Sequence, residues 1–235
     1  MILYVWLEVK QMYDLLFEEK KQEEMKQFFV NLASSGNIKK YKKKELIDIE
    51  GYEFVGIVLE GTVKQTLYSP QGLEKSLFFL KRGEIFGEMD YFTQSKCELI
   101  VKAVEASEVA IINKKALEQA LRESPKNYEF FIHSMVRKYR ITLFQMKSMV
   151  FNKSIKRLAD TLLRLSYQDS TKKDDKTVLN RIFTHQELAE LIGCSRITVT
   201  NDLNELKKRK LITVKNKEIS IDNLKNLENY LQDDD

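Results

Sequence analysis

The stretch from Phe183 to Ile212, FTHQELAELIGCSRITVTNDLNELKKRKLI, constrains this chain more than any other, because its pattern describes two short helices set across a tight turn. Thr184 followed by Glu187 is a capping box: the threonine oxygen accepts a free first-turn N–H while the glutamate reaches back to the threonine amide. Leu188, Leu191 and Ile192 then recur at helical spacing until Gly193, whose missing side chain permits a backbone turn that other residues resist. Ser195 suits the N-cap of a second helix, in which Val199, Leu203 and Leu206 share one inward face. At 3.6 residues per turn, Ile197, Asn201, Asn204 and Lys208 fall opposite Val199, with Thr200 at the flank and Arg196 at the exposed N-terminal end.

That outward set fits a helix-turn-helix. The second helix of such a motif enters the major groove, where arginine takes both guanine acceptors, asparagine pairs with adenine and an apolar side chain meets a thymine methyl. Arg196, Ile197, Thr200 and Asn201 are the base-reading candidates. Thr184, Ser195, Thr198 and Lys208 sit where they would position phosphates. A helical hairpin inside a core is the alternative, but a core would not leave isoleucine, asparagines and lysine on one outward face. Thr213 to Ile221 alternates polar and apolar around Lys215-Asn216-Lys217 and predicts a hairpin wing.

With Gly193-Cys194-Ser195-Arg196 and Thr198-Val199 at its centre, this segment resembles the C-terminal domain of the cyclic-AMP receptor protein and fumarate–nitrate regulator (Crp/Fnr) superfamily. It departs from the best-known pattern of that superfamily, placing Ile197 and Asn201 where glutamate and arginine stand, so a different operator sequence is expected.

Charge supports the same reading. Net charge is only +4, yet residues 152–217 hold 15 Lys/Arg against 8 Asp/Glu, and such local excess attracts a phosphate backbone. Residues 218–235 hold one Lys against 6 Asp/Glu and are expected to be a solvated acidic end. Gln168 to Lys176 reads as a solvated loop.

From about residue 38 to 112 the texture changes to short alternating runs cut by six of the eight glycines, which predicts an antiparallel barrel or jelly roll with a hairpin turn at Ser69-Pro70-Gln71-Gly72. The order Leu59-Glu60-Gly61-Thr62-Val63, Gly72, then Gly83-Glu84-Ile85-Phe86-Gly87-Glu88 resembles the cyclic-nucleotide-binding barrel of the same superfamily. The resemblance implies that Gly87-Glu88 keeps the pair that meets the ribose, whereas Cys97 and Glu98 replace the arginine and small hydroxyl residue that hold the cyclic phosphate. A like charge a few ångströms from a phosphate costs on the order of 1 kcal/mol or more, and a bidentate arginine contact is lost as well. Familiar use of cyclic AMP is therefore not expected. Two readings of Gly87-Glu88 stand: part of a cavity for some other effector, or a retained turn with a surface carboxylate.

Pro125 sits where a helix begins. Beyond it Ile132, Val136, Tyr139, Leu143, Met146 and Val150 alternate in steps of four and three, a coiled-coil seam that predicts a parallel homodimer; a helix packed on its own barrel is the competing source of such a stripe. The resemblance places Thr142 where nucleotide-binding members set a threonine against the base, and Leu143 in place of the neighbouring serine, giving a more apolar pocket.

Residues 11–33 form an amphipathic arm of no visible role, and Asn152 marks a hinge before a core-facing helix through Leu158, Leu162 and Leu165. His133 is expected at an interface or surface, and His185 at a phosphate. Cys97 and Cys194 lie in no metal-binding spacing, so no metal, haem or iron–sulfur cluster is expected, and two free thiols suit a reducing cytoplasm. The apolar cluster Met1 to Leu7 is broken by Glu8, Lys10 and Asp14, short of a membrane span or a signal-peptide core. No nucleophile–base pair points to an enzyme.

The expectation is an α+β chain: an N-terminal helical arm (1–37), an antiparallel β-barrel of cyclic-nucleotide-binding-like jelly-roll type that senses an effector (38–115), a linker and dimerisation helix (116–151) and a winged helix-turn-helix (152–235). Its expected partners are double-stranded DNA with a near-palindromic operator, a second copy of itself, an unidentified small-molecule effector and, as the resemblance implies, RNA polymerase. No membrane partner is expected. A different class of control is a redox response at Cys97, whose neighbour Lys96 would favour thiolate.

Overall fold

The computed structural model describes residues 18–48, 51 and 53–232. The chain divides into two compact units, Glu19–Thr142 and the part from Leu143 onward.

In the first unit a helix, α1 (Glu19–Leu32), precedes seven strands: β1 (Asn37–Tyr41), β2 (Phe54–Glu60), β3 (Val63–Tyr68), β4 (Glu74–Leu80), β5 (Ile85–Phe86), β6 (Ile100–Ala103) and β7 (Ser107–Asn113). They pair as two antiparallel sheets, ordered β1-β7-β2-β5 and β4-β3-β6. The sheets are joined where the chain leaves β1: Lys44 and Ile47 N–H groups donate to Ala103 and Val101 of β6, at 2.8 and 2.9 Å. The expected barrel is thus two sheets linked through residues 44–47 rather than strands paired into a closed ring. Its turn at Ser69–Gly72 closes as the sequence predicts, with the Gly72 N–H on the Ser69 carbonyl at 2.9 Å.

The core of this unit explains the arm. Met25 and Phe29 of α1 are fully buried among Val55, Ile57, Ile85, Ile112 and Phe131, so residues 19–32 complete the core of the first unit rather than preceding it. Only the apolar spacing was visible in sequence; the partners come from strands far along the chain. The part of the arm before residue 18, and the cluster Met1 to Leu7, lie outside the described residues.

Three helices follow the sheets' own short helix α2 (Glu88–Thr93): α3 (Lys114–Glu123), capped by the Asn113 side chain, α4 (Pro125–Phe151) and, in the second unit, α5 (Ser154–Gln168). Pro125 opens α4, whose 27 residues span roughly 40 Å at 1.5 Å each. One face of α4 buries Phe130, Phe131, Ser134, Arg137, Lys138 and Ile141, while Ile132, Val136, Tyr139, Leu143, Met146 and Val150 are exposed. The helix ends at Phe151, and Asn152 turns its side chain back to Ser148 Oγ at 3.1 Å.

The second unit adds β8 (Ser170–Lys173), β9 (Lys176–Leu179), α6 (His185–Ile192), α7 (Arg196–Lys208), β10 (Ile212–Lys215), β11 (Glu218–Ile221) and α8 (Leu224–Gln232), with sheet order β10-β11-β9-β8. The wing is present. Asn216 and Lys217 both take positive φ, as a two-residue hairpin turn of this kind requires. Two expectations fail. Gln168 to Lys176 is not a loop: β8 and β9 form a second hairpin, turned by Asp174 and Asp175 at positive φ, and it extends the wing sheet. Nor is the acidic end free, since α8 buries Leu227 and Tyr230 and its one acid, half-buried Glu228, accepts from the Tyr167 hydroxyl at 2.9 Å; Asp233 to Asp235 lie outside the described residues. Among the described residues no helix is long and apolar enough to cross a membrane.

Candidate functional site

The helix-turn-helix is built from its caps inward. The capping box forms in full: Thr184 Oγ1 accepts from the Glu187 N–H at 3.1 Å and the Glu187 carboxylate accepts from the Thr184 N–H at 2.8 Å. Arg181 steadies that carboxylate and lies 4.3 Å over the Phe183 ring, a support that no local sequence signal announces. Gly193 ends α6 in the left-handed region, φ +67°, and Ser195 caps α7 by accepting from the Thr198 N–H at 3.0 Å. Val199, Leu203 and Leu206 then sink α7 into the domain.

This packing turns the other face of α7 to solvent. Ile197 is 74% exposed, and Arg196, Asn201, Asn204 and Lys208 are exposed beside it. An isoleucine that exposed costs apolar hydration unless a partner covers it. Thr200 behaves differently from expectation: it is half-buried, its Oγ1 lies 2.8 Å from His185 Nδ1 and it donates to the Arg196 carbonyl at 3.0 Å. It fastens α6 to α7, and the imidazole expected at a phosphate is engaged in the same contact. Ser195 and Thr198 hydroxyls pair at 2.8 Å across the helix start. The wing presents Lys215 and Lys217 at its exposed tip, two cations that the sequence shows as hairpin residues without indicating a role.

The second site is a cavity of about 680 Å³ in the first unit. Gly87, Glu88, Cys97 and Glu98 all line it, with Phe54 and Phe86 among its apolar walls. Thr142 and Leu143 do not: Thr142 is exposed and donates to the Lys138 carbonyl at 3.0 Å, and Leu143 belongs to the exposed stripe of α4. The reading of Glu88 as a surface carboxylate is also corrected. Gly87, at φ +83°, starts α2 and turns Glu88 inward, where it is 2% exposed and accepts from Lys138 Nζ at 2.8 Å. Lys138 donates to the Ile85 carbonyl as well, at 2.7 Å. That lysine lies 50 positions away, which is why sequence spacing missed it.

At Cys97 the thiolate expectation is reversed. Burial first, and then the neighbouring Asp90 carboxylate, push the thiol above its ordinary range, while the Cys97 N–H donates to Asp90 Oδ1 at 3.0 Å. A protonated thiol is a poor nucleophile. Cys97→Ser is expected to leave duplex affinity within about twofold, with or without mild peroxide, since exposed or half-buried substitutions of this size change little; a peroxide response lost in the variant would show thiol control.

An inward-anchored helix with a polar and basic outer face, a wing beside it and a separate sensor-like sandwich define a two-part regulator that reads nucleic acid. Comparison with known proteins agrees: residues 38–124 match the model of the cyclic nucleotide-binding domain and residues 156–230 that of the Crp-like helix-turn-helix domain, together more than half of the chain. The chain belongs to the Crp/Fnr family of transcription regulators. The cAMP-activated global transcriptional regulator CRP of Salmonella typhimurium is 28% identical over 188 residues, covering 79% of this chain and 89% of that protein. The global nitrogen regulator of a Nostoc species is 26% identical, covering 72% and 77%. Among solved structures, a CooA mutant from Carboxydothermus hydrogenoformans superposes with TM-score 0.74 at 20% identity, covering 86% of this chain and 90% of that one. FixK2 from Bradyrhizobium japonicum superposes with TM-score 0.71 at 18% identity, covering 83% and 96%. At those identities the structures show a shared fold.

Proposed function

We propose that the protein is a cytoplasmic homodimer that binds a near-palindromic duplex site and is controlled by a small molecule in the sensor cavity. The observation that carries this reading is the outward face of α7, where Arg196, Ile197, Asn201 and Lys208 stand exposed on a helix anchored by Val199, Leu203 and Leu206. Two such helices one duplex turn apart, about 34 Å, read half-sites of opposite orientation. Thr184, Ser195 and Thr198 lie at helix N-termini, where backbone N–H groups and the helix dipole favour phosphate. Thr200 acts by holding the motif together. RNA polymerase is the partner through which bound protein affects transcription.

The exposed stripe of α4 supports the dimer, since six apolar side chains at heptad spacing leave water only against a like surface. Control by cyclic AMP in the manner of the Salmonella relative is not part of this proposal: the cavity lining sets Asp48, Glu88, Asp90 and Glu98 against Lys96, and the family resemblance puts Cys97 where an arginine, and Glu98 where a small hydroxyl residue, would hold the cyclic phosphate. Titration calorimetry is expected to give no heat with cyclic AMP at micromolar concentrations; saturable micromolar binding would overturn that part.

Selection from a pool of random duplexes tests the whole reading. Enriched sites are expected to carry an inverted repeat, bound with affinity that falls steeply with salt. No enrichment, or a site without symmetry, refutes it. Arg196→Ala on the enriched duplex is expected to cost roughly 1–3 kcal/mol and to relax preference at one base pair. Equal loss on random and selected duplexes would make Arg196 a phosphate contact.

A further inference from the structure

The chemistry of the sensor cavity goes further than the exclusion of a phosphate, and it rests on the regulator reading only for its consequence. Two of the residues that line it, Glu88 and Gln65, each keep one buried side-chain oxygen without a hydrogen-bond partner. Glu88 is almost fully buried and gives Oε1 to Lys138, but its Oε2 accepts nothing; Gln65, 4% exposed, has its side-chain oxygen likewise unmatched. A buried acceptor without a donor costs free energy, so each such atom marks a place where something that donates is meant to sit. The surrounding charge points the same way. Asp48, Asp90 and Glu98 join Glu88 on the lining, against Lys96 on the lining and Lys138, which donates to Glu88. Four carboxylates against two ammonium groups leave the site short of positive charge. The remaining walls, including Phe54, Phe86, Leu99 and Val101, are apolar or aromatic, and the volume is in the range of sites that enclose a small organic molecule.

We propose that this cavity takes an organic cation: a protonated primary amine on a compact apolar body, its ammonium donating to Glu88 Oε2 and Gln65 Oε1 and its body against the phenyl rings. A hydroxyl in place of the ammonium supplies a donor but no charge. A carboxylate supplies neither. Aromatic faces add to the preference, because a ring attracts a cation.

Three probes that share one apolar body separate these terms: tryptamine, tryptophol and indole-3-acetate, each titrated calorimetrically against the full-length protein. Tryptamine is expected to bind about tenfold or more tighter than tryptophol, the ratio for a hydrogen bond gaining a charge, and indole-3-acetate is expected not to bind. Glu98→Lys changes an exposed residue that the fold does not need; it is expected to weaken tryptamine about tenfold and to admit indole-3-acetate. Glu88→Gln keeps the shape of the wall and is expected to abolish the preference for tryptamine over tryptophol. Equal or tighter binding of indole-3-acetate to the unaltered protein, absence of tryptamine binding, or insensitivity to Glu98→Lys overturns the inference. The same samples are tested on the selected duplex. A protein that binds duplex and ignores tryptamine sinks this inference alone, whereas one that takes tryptamine and binds no duplex sinks the regulator reading and leaves the cavity's chemistry standing.

Discussion

Val136→Glu is expected to convert the protein from dimer to monomer and to reduce its affinity for the selected duplex by about two to three orders of magnitude. The stripe Ile132, Val136, Tyr139, Leu143, Met146 and Val150 follows the four-three spacing that keeps one edge of a helix facing its partner, and Tyr139 is 63% exposed in the single chain. Apolar area covered in a dimer contributes roughly 25 cal/mol per Å². A glutamate in mid-seam loses that contribution and, across a two-fold axis, faces its own copy. Burying a charge without a partner costs several kcal/mol, enough at about 1.4 kcal/mol per decade to raise the dissociation constant roughly a thousandfold. Duplex affinity falls with it, because a monomer engages one half-site and forfeits the second as an intramolecular event. Val136 is 48% exposed in the protomer, so the thermal midpoint of the monomer is expected to stay within a few degrees of that of a diluted parent sample. Sedimentation equilibrium and duplex titration read both effects. A variant that stays dimeric and binds normally would place the subunit contact elsewhere.

Where a structural role is carried by residues a few positions apart, the sequence was sufficient. Thr184 with Glu187, Gly193, Ser195 and the Val199-Leu203-Leu206 spacing located both helices of the motif within a residue or two, since caps and helical periodicity are local. The Asn216-Lys217 turn was legible for the same reason. Asp174-Asp175 takes the same left-handed geometry but sits among lysines and aspartates that read as solvated, and two strands went unseen because they are held by pairing, β9 with β11 and β8 with β9, rather than by their own composition. Over residues 218–235 the acids dominated the count, while Leu227 and Tyr230 set the packing of α8. Thr200 was misjudged by its helical angle alone: the flank of α7 faces His185 across the turn, a contact that depends on how α6 crosses it. The cavity was half legible. Gly87-Glu88 and Cys97-Glu98 lie in one short stretch and reach its wall, but Gln65 and the apolar walls come from other elements, as does Lys138, which pairs with Glu88, and long-range pairing leaves no spacing to read.

Another buried long-range pair carries the second large effect. Glu84 and Arg137 each keep about 5% of side-chain exposure and form an ion pair between the turn before β5 and the inner face of α4. Arg137 also donates to Gln22 Oε1 of α1 at 2.6 Å, and Gln22 in turn meets His133 at 3.0 Å, so three elements meet at one guanidinium. Arg137→Met keeps the apolar stem but leaves the Glu84 carboxylate buried without its cation, which is expected to cost about 3–5 kcal/mol in urea unfolding of the sensor unit. Glu84→Gln is expected to cost a similar amount, because it strands the guanidinium instead. The double variant Glu84→Gln/Arg137→Met removes both charges while glutamine still accepts from the Lys81 N–H, as Glu84 does at 2.8 Å. It is expected to recover at least half of the summed loss, the excess being the coupling between the two sites. The same pair fixes α4 to the loop that ends in Gly87-Glu88, so a ligand that shifts that loop acts on a helix already fastened to it. A single-variant cost below about 1 kcal/mol, or strict additivity in the double, would mean that water reaches the pair and that the loop and α4 are held together by the Lys138 contacts alone.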